Sequence, residues 1–74
     1  MISPLNERME IAFYNVIDHR CDNAERMGAT PDQICRSIRN YTERYIARHE
    51  MPDKKKKELR DFTENICGII SAPS

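Results

Sequence analysis

The chain has only two glycines and no run in which β-branched residues alternate with polar ones, so nothing in it reads as a strand or a hairpin. It lacks any segment near the roughly 20 apolar residues of a membrane span. Its opening residues, MISPLNERME, carry acids early and have no apolar centre of the kind a signal peptide needs. These absences lead to an expectation of no membrane and a cytoplasmic location. An excess of one charge is missing as well, because 12 Lys and Arg balance 12 Asp and Glu. Dedicated nucleic-acid binders and polybasic membrane anchors both rely on a basic excess.

Chemical motifs are equally scarce. The sequence contains no glycine-rich phosphate loop, no HExxH and no nucleophile elbow. Three cysteines, Cys21, Cys35 and Cys67, form no CxxC pair, and their odd number does not suit a secreted disulfide framework. They read as reduced, partly buried thiols. A zinc site combining them with His19 or His49 would lack the usual close ligand spacing, so no metal and no cofactor are expected. Short loops leave little room for a ligand pocket of roughly 300 Å³. The chain therefore reads as a protein that is not an enzyme.

What the sequence does contain is clear punctuation. In MGATPDQI, residues 27–34, Gly28 suits the left-handed position after a helix end. Thr30 suits the next cap, Pro31 the first turn and Gln33 the capping-box partner, while Asp32 faces the positive end of the helix dipole. In HEMPDKK, residues 49–55, Pro52 pushes Met51 out of helical geometry and opens a new first turn. Ser3 before Pro4 offers a cap for the first helix. The reading is an all-α, three-helix bundle, with helices near 4–27, 31–50 and 53–71 in one domain spanning 1–74, and a flexible tail at 72–74. A chain of this size buries only roughly 60% of the surface its unfolded form exposes. Such proteins often lean on a second subunit.

At about 100° per residue, the second helix presents Ile34, Cys35, Ile38, Tyr41, Thr42, Tyr45, Ile46 and His49 on one face. The third presents Leu59, Phe62, Thr63, Ile66, Cys67, Ile69 and Ile70. The first has a broad stripe of Leu5, Met9, Ala12, Phe13, Val16, Ile17, Ala24 and Met27. It also has a second line outside that stripe, formed by Ile11, Tyr14, Asp18, Cys21 and Glu25. At 1.5 Å per residue the first helix would reach roughly 36 Å, against about 27–30 Å for the others. Shorter siblings cannot cover it on two sides and also pack on each other. The second line is therefore expected to meet a second copy of the chain or a different protein. The alternative is a monomer in which Ile11 and Tyr14 are singly exposed.

Residues 1–29 hold five acids and three bases, and the remaining 45 residues carry the balancing +2. An acidic rim around Tyr14 and Ile11 fits docking on a basic partner groove. Arg20 lies within the apolar stripe, and three readings remain open for it. Its head snorkels to water, pairs with Glu64 or Asp61, or reaches a partner carboxylate. The expected function is a small protein-binding module, a regulator or inhibitor of the accessory or phage type. That class rests on size and helical content alone. The candidate interface is Ile11, Tyr14, Asp18, Cys21 and Arg20. The alternative is a nucleic-acid binder that uses Arg36, Arg39, Lys54, Lys55, Lys56 and Lys57.

Overall fold

The computed structural model describes residues 3–4 and 7–72, with side chains from residue 7 onward. Three helices account for nearly all of it: α1 at Glu7–Arg26, α2 at Pro31–Arg48 and α3 at Asp53–Ser71. Two extended dipeptides join them, β1 at Ser3–Pro4 and β2 at His49–Glu50. They pair in parallel, Ser3 beside His49 and Pro4 beside Glu50. The protein is an all-α, three-helix bundle with this one short clasp.

The turn after α1 is a Schellman motif. The amide of Ala29 donates to the Ala24 carbonyl at 3.0 Å, and that of Gly28 donates to Glu25 at 3.0 Å. Gly28 has φ +79°, which a side chain would strain. Helix α2 then starts with a complete capping box. The Gln33 amide donates to Thr30 Oγ1 at 3.2 Å, and the Thr30 amide donates to Gln33 Oε1 at 2.9 Å. Pro31 fills the first turn, as expected.

Two helix ends differ from the sequence expectation. Helix α1 begins at Glu7, because Ser3 and Pro4 are extended partners of β2 rather than a cap. Helix α2 stops at Arg48, because His49 has already turned to extended geometry, with φ −124° and ψ 136°. The bias against helix that Pro52 imposes on Met51 thus spreads back to where β1 supplies backbone partners. Leu5 and residues 73–74 of the expected tail lie outside the described residues.

Helix α2 is the middle element. It packs on α3 along one flank and on α1 along the other. The α2–α3 seam is antiparallel. Arg39 forms a forked pair with Glu64 at 2.7 and 2.8 Å, and Arg60 forms one with Glu43 at 2.9 Å. Inside the seam, Thr42 Oγ1 and Thr63 Oγ1 lie 2.6 Å apart, both buried. Between α1 and α3, Tyr14 packs edge-on against Phe62 at 4.6 Å, and Lys55 reaches Glu10 at 2.9 Å.

The core centres on Phe13, Ile17, Ile38 and Leu59, all at 0% exposure. Phe13 is ringed by Tyr45 at 4.8 Å, Tyr14 at 5.6 Å, Tyr41 at 5.7 Å and Phe62 at 6.4 Å. The expected face of α2 is buried or half-buried throughout. Exceptions fall on the other helices, where Ala12, Met27 and Ile69 are exposed, the last two at 79% and 75%. Met27 has left α1 for the turn, and Ile69 lies in the last turn of α3.

The length argument for a greasy second flank also changes. With 20, 18 and 19 residues, the helices span about 30, 27 and 29 Å at 1.5 Å per residue. They are nearly matched, so α3 covers part of the second line on α1.

Candidate functional site

Each residue of that second line has a definite place. Tyr14 is half-buried under Phe62, and its hydroxyl donates to Glu10 Oε1 at 3.2 Å. Burial and the Glu10 carboxylate both hold its phenol above the ordinary tyrosine range. Cys21 is half-buried against the core, and burial, then Asp18 and Glu25, raise its thiol. Ile11, at 54% exposure, and Asp18 face solvent. The structure therefore does not assemble the line into one surface, since its aromatic member packs against α3.

The six basic residues of the alternative set are also divided. The antiparallel register puts Arg36 and Arg39 near the far end of α3 from Lys54 to Lys57. Arg39 is held by Glu64, Lys55 by Glu10 and Glu58, and Lys56 by Asp53 at 3.8 Å. Arg36 lines a groove beside Asp32, Arg39 and Glu64. Lys54 and Lys57 are exposed. Much of this positive charge is already matched by carboxylates.

A different arrangement stands out on the face of α1 and α2 turned away from α3. At about 100° per residue, Arg20 falls on this flank of α1, and Arg44 and Arg48 on this flank of α2. The acids of α1 fall elsewhere. Glu10 turns to Lys55 on α3, and Asp18, Asp22 and Glu25 lie around the far side from α2. On α2, Asp32 and Glu43 belong to the α3 flank. The three arginines Arg20, Arg44 and Arg48 have no ion pair among the described residues. Arg26, nearby on α1, leans back to Asp22 at 3.3 Å.

An aromatic floor underlies these cations. The guanidinium carbon of Arg20 sits 4.7 Å from the Tyr41 ring centre. Beneath it, Tyr41 stacks on Phe13 with 14° between the planes. Tyr45 lies deeper. Its hydroxyl donates to the Met9 carbonyl at 2.7 Å, and burial, then Tyr41, raise it above the ordinary range. Together Arg20, Tyr41, Arg44, Tyr45, Arg48 and His49 line a groove of about 310 Å³. His49 closes one end, with its ring 4.2 Å from that of Tyr45. Its Nδ1 is buried and has no hydrogen-bond partner among the described residues.

This geometry suits an anion. Arg20 is exposed and rests on Tyr41 rather than on Glu64, which Arg39 occupies. The snorkelling alternative describes Arg20, and the Glu64 pairing is not formed. A guanidinium stacked on a ring keeps its N–H edge free for carboxylate or phosphate oxygens. The link between Arg20 and the Arg44–Arg48 flank escaped the sequence reading, although both halves were visible. Helical periodicity places residues on a face of their own helix, and only packing decides which two faces adjoin.

Among the described residues, no cluster of three or more His, Cys, Asp or Glu side chains is placed to hold a metal, and no helix is long and apolar enough to cross a membrane. No protein family, curated protein or solved structure matches this chain.

Proposed function

We propose that this protein is a non-enzymatic binding module that takes an acidic surface of another protein onto the α1–α2 face. The observation that carries this reading is the groove in which Arg20, Arg44 and Arg48 surround Tyr41, with no carboxylate in its lining and no ion pair to any of the three arginines among the described residues. Arginine and tyrosine are enriched at protein interfaces because both offer large contact area together with directed donors. The charge pattern sets orientation and on-rate, and occupation of the partner's surface is the means of regulation. A cytoplasmic setting belongs to the same proposal, as a place where three thiols stay reduced.

A second copy of the chain is one such partner. The outer flank of α1 carries Glu7, Asp18, Asp22 and Glu25 around exposed Ile11, opposite in sign to the arginine face. Contact between these unlike faces is heterologous, so it leads to open chains rather than a closed dimer. Light scattering against the 8.7 kDa monomer mass reads it out.

The direct test is fluorescence anisotropy with a labelled glutamate-rich helical peptide and, separately, a labelled DNA duplex. The expected result is peptide binding that Arg44→Glu with Arg48→Glu reduces at least about tenfold while helicity is unchanged. Duplex binding that outcompetes the peptide and falls steeply with salt would replace this reading with a nucleic-acid one. Absence of peptide binding at low salt would overturn it.

A further inference from the structure

The three thiols lie on three different helices, Cys21 on α1, Cys35 on α2 and Cys67 on α3. Cys35 on α2 and Cys67 on α3 are both buried, at 5% and 4% exposure, and belong to the same core cluster. The register of the α2–α3 seam, set by Arg39 with Glu64 and by Glu43 with Arg60, brings position 35 opposite the turn that holds position 67. Both residues line one groove of about 600 Å³, together with Gly68, Ser71 and the Arg39–Glu64 pair. Cys21, on α1, is the most exposed of the three.

Disulfides need Cα atoms within about 7 Å of each other, closer than most helix pairs allow at their usual separation of about 8–10 Å. This seam is narrow. The short side chains of Thr42 and Thr63 meet across it, hydroxyl to hydroxyl at 2.6 Å. Gly68 adds no side chain next to Cys67, and a Cβ there would meet nothing within 4 Å.

We propose that Cys35 and Cys67 are an intramolecular cross-linking site, at which a peroxide oxidises the pair to a disulfide that fastens α3 to α2. In the first step one thiolate attacks a peroxide oxygen. The O–O bond breaks, an S–O bond forms and hydroxide leaves, to be protonated to water. In the second step the other sulfur attacks the sulfenic sulfur. The S–S bond forms, and the hydroxyl leaves as water with the remaining thiol proton. Two thiols lose two electrons and two protons, and one hydrogen peroxide becomes two waters.

Rate and outcome are set by different features. Burial and the facing Cys35 thiol hold Cys67 protonated far above neutral pH, and only Arg39 favours its thiolate. The reaction is therefore slow at neutral pH and faster as pH rises. The product closes a loop from residue 35 to 67 and removes conformations from the unfolded chain.

The test is oxidation of the folded, full-length protein with hydrogen peroxide at mildly alkaline pH, followed by non-reducing digestion and mass spectrometry. The expected product is monomeric, lighter by two hydrogens, with Cys35 and Cys67 peptides joined and Cys21 still alkylatable. Its melting temperature should rise by about 10 °C or more. Cys21→Ser retains the cross-link and the shift. Cys35→Ala and Cys67→Ala each abolish both, and circular dichroism before oxidation confirms that they fold. Joined peptides that carry Cys21, links only between molecules, or thiols consumed in Cys21→Ser with no Cys35–Cys67 link would overturn the proposal.

Discussion

The guanidinium of Arg20 on α1 lies over the ring of Tyr41 on α2, 4.7 Å from its centre, and Tyr41 in turn stacks on buried Phe13. A cation is thereby fixed at the junction of two helices, and it forms no ion pair among the described residues. Arg44 and Arg48 extend the same charge along α2. This contact has a stability role separable from any binding role. Exposed cation–π pairs contribute about 0.5–1 kcal/mol, so Arg20→Ala should lower urea-unfolding stability by no more than roughly that amount. It should weaken acidic-peptide binding to a greater extent. Tyr41→Phe should leave both nearly intact, because the ring face does the work.

The buried hydroxyl pair gives a sharper stability prediction. Thr42 and Thr63 have two protons for three close contacts: their mutual 2.6 Å approach, Thr42 to the Ile38 carbonyl at 2.8 Å and Thr63 to the Leu59 carbonyl at 3.1 Å. Replacing one threonine by valine removes the mutual contact but leaves the other hydroxyl donating to its own backbone carbonyl, so each single change should cost about 0.5–1.5 kcal/mol. Thr42→Val with Thr63→Val should cost less than the sum of the single changes. A double-mutant cycle by chemical denaturation measures the coupling.

Glycine supplies two substitutions of opposite sign. Gly68 is helical and has open space where a Cβ would stand, so Gly68→Ala should stabilise by about 0.5–1 kcal/mol through helix propensity. Gly28 holds φ +79° in the Schellman turn. Gly28→Ala should therefore lower the melting temperature, and calorimetry on the two variants reads both signs.

Acid sensitivity follows from the seam. Hydrogen bonds from Arg39 and Arg60 depress the carboxyl pKa values of Glu64 and Glu43, and Lys55 does the same to Glu58. A depressed carboxylate contributes stability that is present above its unfolded pKa and lost as pH falls through its folded one. The melting temperature should hold from neutral pH down to the glutamate range, about 4.3, and drop below it. All three carboxylates are well exposed, so the drop is modest and shrinks with added salt. Glu43→Gln with Glu64→Gln should flatten that acid limb in a pH series of thermal melts.

Much of the bundle is legible in local sequence. Thr30, Pro31 and Gln33 fix the start of α2, and Pro52 with Asp53 fixes that of α3, because caps and prolines act over a few residues. The buried face of α2 follows from its periodicity for the same reason. The β1–β2 clasp was not legible, since it joins Ser3–Pro4 to His49–Glu50, and each dipeptide alone reads as a helix end. Nor was the cover over Tyr14. Periodicity marks it as surplus on α1, but only the middle position of α2 shows that Phe62 of α3 reaches it. The candidate site divides in the same way. Arg20, Arg44 and Arg48 each stand out in the sequence, while their meeting over Tyr41 depends on which flank of α2 meets α1.

The proposed binding surface is the α1–α2 arginine face. Amide chemical-shift mapping during titration with a glutamate-rich helical peptide tests it most directly. Saturable shifts are expected at Arg20, Tyr41, Arg44, Arg48 and His49, absent from the Arg44→Glu, Arg48→Glu variant. Shifts centred instead on Lys54 to Lys57 of α3, or no shifts at low salt, would contradict it.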